Sequence, residues 1–314
     1  MIKNKFLFIP GFQKSGTTEL FYTLASLNKF NYFKSKEAYF FDLEENIVKE
    51  QLDHWYLKQF KTTIQAQDIL LDASTSYAYS NWAIENIQTY CENPYILFIV
   101  RDPAIRSYSA YLHMKKKSGA YETRNFSSII KHINNNDIYK SELSYLKETF
   151  SKNPKMENYF NKDYLRDTYR CDFDSIYENP NWPFMYIYNS FFDLHIQRWE
   201  KVFNNRVKII TFENLINNPL NTINEILTWL NIDNVTNIVL SEAKNKTICP
   251  RFDFLKPEFE YKNNDFIKKF VKKVTSNKAS FMHKLLFERT EISQNQWNYL
   301  HEKIFNIKHG DFLE

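Results

Sequence analysis

The sequence predicts an α/β fold, a single domain with a central parallel sheet flanked by helices and a phosphate-loop-like turn after its first strand. Three observations predict it. The apolar run Lys5 to Pro10 passes through Gly11-Phe-Gln-Lys-Ser-Gly16 into a helical pattern. The stretch Asn93 to Val100 is an almost unbroken apolar run, the signature of a strand buried on both faces. Between Phe191 and Leu230, helix and strand alternate as they do in βαβ units. At 314 residues the chain has length enough for a substantial core, and it is read as one domain over 1–314 with a helical and loop insertion at about 115–183.

The first loop is the most informative stretch. Gly11 and Gly16 are two of only four glycines in the chain, and placing both in one turn implies a positive φ or a close approach of backbone to a ligand. Backbone N–H groups in such a loop can curl around a phosphate, and Thr17 and Thr18 then open a helix whose positive end points at the same anion. A nucleotide-triphosphate loop carries Lys directly after its second Gly. Here Thr17 stands there, and the lysine lies inside the loop as Lys14. The Gly-x-x-x-x-Gly spacing alone reads as a tight strand-to-helix turn; Lys14, Ser15 and the paired threonines turn the reading toward an anion site.

Leu20 to Leu27 continues the helix. In Lys34-Ser-Lys-Glu-Ala-Tyr-Phe-Phe-Asp42, Phe40 and Phe41 anchor the segment in the core and so fix Glu37 near the mouth of the first loop, where it is a candidate general base. A surface glutamate in a Lys-rich turn is the competing reading. His54 to Phe60 reads as helical and Asp68 to Asp72 as a short buried strand. An apolar strand ending in Asp72 is also what a magnesium-dependent kinase would use; against that, Asp72 runs into the hydroxyl-rich Ala73-Ser-Thr-Ser-Tyr77, suited to bonding a substrate or capping a helix.

The strand at Asn93 to Val100 ends in Arg101-Asp102-Pro103, and ligands in open α/β sheets bind at such carboxyl ends. Arg101 with Ser109 can grip a phosphate, or Arg101 can pair with Asp102. Pro103 starts the next helix, which carries His113. The tyrosine-rich 115–183 stretch has no clear motif and reads as cover for a cleft, with most of its aromatics packed. Phe191 to Phe203 is an amphipathic helix bearing His195, read as a packed or surface histidine rather than a catalyst. Arg206 to Glu213 is a strand, Asn214 to Pro219 a turn and Asn221 to Leu230 a helix. Lys244 to Arg251 forms a basic turn, and helices around Asp265 to Val274 and Ser293 to Ile307 look structural.

Composition narrows the function classes. A net charge of +4 with dispersed basic residues does not indicate a nucleic-acid polymer as partner. The three cysteines, Cys91, Cys171 and Cys249, are far apart and odd in number, which argues against a disulfide framework or a cysteine-based zinc site and suits a reducing compartment. Pro10 and Gly11 interrupt the first apolar run, and no segment reaches the roughly 20 apolar residues of an integral membrane span. A cytoplasmic protein is expected, with its oligomeric state open.

Three stretches stand in order: Gly-Phe-Gln-Lys-Ser-Gly-Thr-Thr-Glu-Leu at 11–20, Lys-Glu-Ala-Tyr-Phe-Phe-Asp at 36–42, and Arg-Asp-Pro-Ala-Ile-Arg-Ser-Tyr-Ser at 101–109. Together they resemble the sulfotransferases that use 3'-phosphoadenosine 5'-phosphosulfate (PAPS), most nearly the carbohydrate branch with its heparan sulfate enzymes, in a bacterial-type form. Asp72 to Tyr77, Thr211 to Pro219 and Asn245 to Thr247 add to the likeness. The resemblance implies the sulfotransferase fold and PAPS as donor. It also implies that Gly11, Lys14, Ser15, Gly16, Thr17 and Thr18 hold the phosphosulfate, that Arg101 and Ser109 hold the 3'-phosphate, and that Glu37 is the catalytic base. His113 is a second candidate base, since the small-molecule branch uses a histidine. Some heparan-type enzymes have Glu-Lys where this chain has Asp72-Ala73, and their disulfide-bearing carboxyl-terminal loop is absent here; Lys246 and Arg251 are the candidates to replace it at the nucleotide.

The expected activity is sulfuryl transfer from PAPS to a hydroxyl, or an amine, of a saccharide or glycolipid acceptor, with Lys14 and Glu37 at its centre and no metal. The alternatives are a sulfotransferase of a small alcohol or phenol with His113 as base, an ATP-dependent small-molecule kinase using the Gly11 to Gly16 loop, and a carbohydrate-binding protein without turnover.

Overall fold

A computed structural model describes residues 1–117, 122–152, 181–240 and 299–305. Its framework is a sheet of five parallel strands in the order β2-β3-β1-β4-β5: β1 (Ile2–Gly11), β2 (Phe30–Tyr32), β3 (Ile69–Asp72), β4 (Cys91–Val100) and β5 (Val207–Thr211). The chain leaves the central β1 to build β2 and β3 on one side and β4 and β5 on the other. The loop after β1 therefore sits where the strand order reverses, the usual place for a ligand in such a sheet.

The two central strands are apolar at nearly every position because both faces are covered. Phe6, Phe8, Ile96, Phe98 and Val100 point into one core, and Leu7, Ile9, Leu97 and Ile99, the residues between them, point into the other. This is the period of two that a pleated strand imposes. The first core is closed by α3 (Asn81–Tyr90) and by Trp199 and Phe203 of α7 (Phe192–Phe203), with Val48 and Leu52 of α2 (Glu45–His54) at its side. The second is closed by Leu20, Phe21 and Leu24 of α1 (Thr17–Ala25) and by α8 (Phe212–Asn217) and α9 (Pro219–Trp229).

A third apolar cluster joins α4 (Pro103–Lys117), α5 (Phe126–His132) and α6 (Ile138–Ser151) with residues 184–187 and with Leu300 and Ile304. Inside it Arg124 and Glu122 form a fully buried ion pair at 2.8 Å, and Tyr186 donates to Glu122 at 2.6 Å. The described parts of 115–183 are thus packed helices.

Several boundaries differ from the sequence reading. The helix expected at His54 to Phe60 lies earlier, as α2, and Tyr56–Gln59 is a short 3-10 turn; only Val48 and Leu52 of α2 are buried, so its apolar stripe is too thin to announce it. The turn expected at Asn214 to Pro219 is α8, started by Thr211, whose hydroxyl accepts from the Asn214 N–H at 3.1 Å. β2 was not anticipated. The helix expected at Asp265 to Val274, the basic turn at Lys244 to Arg251 with its Lys246, and most of the helix at Ser293 to Ile307 lie outside the described residues; within the last, Tyr299–Ile304 is a π-helical turn.

Candidate active site

The loop after β1 is held from behind by backbone hydrogen bonds. The Phe12 N–H donates to Ile99 O at 3.2 Å and the Ser15 N–H to Phe12 O at 3.0 Å, which folds the loop into a turn. Lys14 takes φ 68° and Gly16 φ 98°. A Cβ on Gly16 would overlap the Phe212 ring, and one on Gly11 would come within 2.8 Å of the Ala78 Cβ, so close packing requires both glycines and backbone shape requires Gly16 as well. Gly16 precedes α1 with no side-chain cap, which leaves the N–H groups of Thr17 and Thr18 for a ligand or water. The Ser15 hydroxyl is fully buried with no hydrogen-bond partner.

Arg106, assigned no role by the sequence reading, supports this loop. Its guanidinium is 1 % exposed, and it donates to Gln13 O at 3.3 Å, to Ser190 Oγ at 2.6 Å and to Tyr186 O. Burial pulls its pKa below the ordinary guanidinium value. A buried cation answered mainly by neutral acceptors keeps a positive field behind the loop. The signal available was its position, one turn after Pro103 in a helix that starts at a strand's carboxyl end.

At the end of β4 the Arg101 guanidinium lies over the Phe212 ring, 4.7 Å from its centre, so Gly16, Phe212 and Arg101 pack in sequence. Asp102 is committed elsewhere: Oδ1 accepts from the Ile105 N–H at 2.8 Å and Oδ2 bonds His301 Nε2 at 2.7 Å. Ser109 is half-buried on α4, two turns beyond Arg101. His113 is a turn further, about 15 Å along the helix axis from Pro103 at 1.5 Å per residue.

Glu37 lies on the other side. Its Oε1 accepts from Lys36 Nζ at 2.8 Å, and its Oε2 from Thr75 Oγ1 at 2.9 Å, from the Thr75 N–H at 3.3 Å and from the Tyr39 hydroxyl. Burial works against its charge, but Lys36 and these hydrogen bonds outweigh it and hold the carboxyl below its ordinary value. Lys36, to which the sequence reading gives no role of its own, is 5 % exposed, with its ammonium also on Ala73 O at 3.0 Å. Thr75 and Ala78 belong to one turn after β3, and that turn joins Glu37 to Gly11. The sequence reading placed Glu37 near the mouth of the loop, and the link is this turn.

Asp72 is fully buried. Ser74 Oγ donates to its Oδ1 at 2.6 Å, while the Tyr56 and Tyr77 hydroxyls donate to its Oδ2 at 2.8 and 3.1 Å. Burial raises its pKa to about 6 despite these donors. With both oxygens engaged by hydroxyls beneath the surface, Asp72 is not placed as the magnesium-holding carboxylate of a kinase. Of the two readings of His195, packed or at the surface, the structure shows the packed one: it is 2 % exposed, with burial lowering its pKa to about 3.

A family model described as the sulfotransferase domain matches residues 5–288. The chain belongs to the sulfotransferase domain family. It is an enzyme, a transferase, and the family uses PAPS as its donor. Among solved structures, a sulfotransferase from Alicyclobacillus acidocaldarius is 18 % identical, with a TM-score of 0.52 over 90 % of this chain and 97 % of that one, which agrees in fold. Mouse sulfotransferase SULT7A1 complexed with PAP is 15 % identical, with a TM-score of 0.39 over 75 % of this chain and 60 % of that one. No curated protein matches significantly.

The sulfotransferase donor suits the residues present. A phosphosulfate needs closely placed donors and positive charge; the buried Ser15 hydroxyl, the uncapped start of α1 and Lys14 supply both. Arg101 directly follows β4 and Ser109 lies on α4, the elements beside the loop. Lys246 and Arg251 fall outside the described residues.

Proposed function

We propose that this sulfotransferase moves the sulfuryl group of PAPS to a hydroxyl of a saccharide-containing acceptor, with Glu37 as the base. One observation carries the reading: a half-buried carboxylate, held toward its ionised form by Lys36, is fastened through Thr75 to the turn that also packs on the loop after β1. In the transfer, Glu37 takes the proton of the acceptor hydroxyl as its oxygen bonds to sulfur. The bond from sulfur to the 5'-phosphate oxygen breaks, and 3'-phosphoadenosine 5'-phosphate leaves with its added charge met by Lys14 and the loop N–H groups.

Arg101 and Ser109 are assigned the 3'-phosphate, with Lys246 and Arg251 as further nucleotide contacts. The insertion at about 115–183, whose described helices include α5 and α6, is assigned the acceptor side. Among the described residues no helix is long and apolar enough to cross a membrane. The dispersed cysteines, with Cys91 buried and unbonded, support a reducing, cytoplasmic setting. The saccharide acceptor rests on the likeness of the Glu37 to Asp42 segment to the carbohydrate branch.

The test pairs Glu37→Gln with His113→Gln in PAPS turnover against a panel of saccharides and phenols. We expect Glu37→Gln to lose about 100-fold or more in kcat and His113→Gln to stay near wild type; the reverse pattern would transfer the base to His113 and the acceptor to a small phenol or alcohol.

A further inference from the structure

The segment that carries Glu37 is held by a hydrogen-bond arrangement in which Asp72 sets every direction. An ionised carboxylate only accepts, so the hydroxyls of Ser74 and Tyr77 must point their protons at it. Their lone pairs then face away. Ser74 Oγ uses them to accept the N–H groups of Ala38 at 2.7 Å and Tyr39 at 3.1 Å. The Tyr77 hydroxyl accepts those of Phe40 at 3.0 Å and Phe41 at 3.2 Å. Four consecutive N–H groups after Glu37 thus end on two hydroxyls, and both hydroxyls end on one carboxylate. Each hydroxyl has one proton and two lone pairs, and all are used.

We propose that Asp72 is a positioning residue for Glu37, acting through Ser74 and Tyr77 to fix the backbone from Ala38 to Phe41. The proposal rests on the reading of Glu37 as base for its meaning in catalysis, but the clamp itself does not. Its electrostatic character separates it from simple packing. Asn fills the space of Asp but brings an N–H₂ donor, which must face at least one hydroxyl proton. That hydroxyl then turns its proton toward the N–H groups it was accepting, and two donors meet. The loss is expected to stay within the segment, since β1 lies on the other side of β3 and pairs with it through a backbone ladder that the substitution leaves in place.

The test is amide hydrogen exchange on the full chain. In Asp72→Asn, at least one pair of amides, 38–39 or 40–41, should exchange at least tenfold faster, with those of β1 and β4 unchanged and the affinity for 3'-phosphoadenosine 5'-phosphate retained. Two gentler variants resolve the halves: Ser74→Ala should release Ala38 and Tyr39 only, and Tyr77→Phe should release Phe40 and Phe41 only. Unchanged protection at 38–41 in Asp72→Asn overturns the proposal. So does a loss spread through the whole sheet, which would make Asp72 a general stabiliser. In turnover, Asp72→Asn added to Glu37→Gln should cost nothing further, whereas multiplicative losses would overturn an action through Glu37. If Glu37→Gln alone proves as fast as wild type while 38–41 loosens in Asp72→Asn, the clamp stands and the base assignment fails.

Discussion

Two neighbouring segments at the carboxyl edge of the sheet treat their polar groups in opposite ways. After β1, the donor loop leaves groups unanswered: the Ser15 hydroxyl is buried without a partner and the start of α1 has no cap. After β2, Glu37 and the backbone N–H groups of 38–41 are answered internally, with Lys36, Tyr39 and Thr75 on the carboxylate and Ser74 and Tyr77 on the backbone. An unmet buried donor costs stability until a ligand arrives, and a saturated network costs nothing on binding. The first arrangement suits a group that binds and releases a charged donor. The second suits one that must be in place before the donor comes.

Lys14→Ala breaks the open side most severely. The loop N–H groups remain, but the cation that balances the leaving phosphate is gone. Turnover is expected to fall by about 1000-fold, and titration with 3'-phosphoadenosine 5'-phosphate should show weaker binding. Activity within a few-fold of wild type would end the role assigned to Lys14. Magnesium ATP bound more tightly than the bisphosphate by the wild-type protein would displace PAPS as the donor read from the loop.

Gly16→Ala attacks the same side through shape. The residue holds φ 98° and an added methyl would overlap Phe212, the ring on which Arg101 rests. The left-handed conformation alone costs roughly 1 kcal/mol for a residue with a Cβ, and the overlap adds to it. Moving Phe212 displaces Arg101, so bisphosphate affinity should fall about tenfold or more together with the melting temperature. Loss of stability with unchanged affinity would detach Arg101 from the 3'-phosphate.

These differences explain what could be read from sequence. The loop after β1 stands out in the sequence because its signal is local: two glycines, a lysine and two threonines within eight residues, after an apolar strand. The sheet was legible for the same reason, through the double-faced apolar run of β4. The base side was not. That Lys36 is buried, that Asp72 works beneath the site and that Arg106 braces the loop all depend on contacts between stretches tens of residues apart, and no periodicity in 34–42 encodes the hydroxyls waiting at 74 and 77. α8 was hidden by its length, a helix of 6 residues between a strand and a proline.

Ser15→Ala gives opposite signs in two experiments. In the free protein the hydroxyl is desolvated without recompense, so its removal should leave stability unchanged or raise it by up to about 1 kcal/mol. In the complex the same hydroxyl has an anion to bond, and affinity for the bisphosphate should fall roughly tenfold. Matched losses in both would show that Ser15 is structural.

Lys36→Met probes the saturated side and should give the smallest change. Lys36 lowers the Glu37 pKa, so Glu37 stays ionised to a lower pH than an ordinary glutamate. In the wild type, the acid limb of kcat/KM, which reports the free enzyme's base, should lie below the ordinary value of 4.5. The variant loses the cation but keeps the burial that works against charge, so its limb moves to higher pH. The stability term has the same sign: a depressed carboxyl contributes above its unfolded value and loses that contribution as pH falls through the folded one. Well above the limb Glu37 is ionised in both proteins, and rates at pH 8 should nearly agree. A limb that does not move would mean that the hydroxyls of Tyr39 and Thr75 suffice to hold the charge, and that Lys36 serves the end of β3 through Ala73 rather than the base beside it.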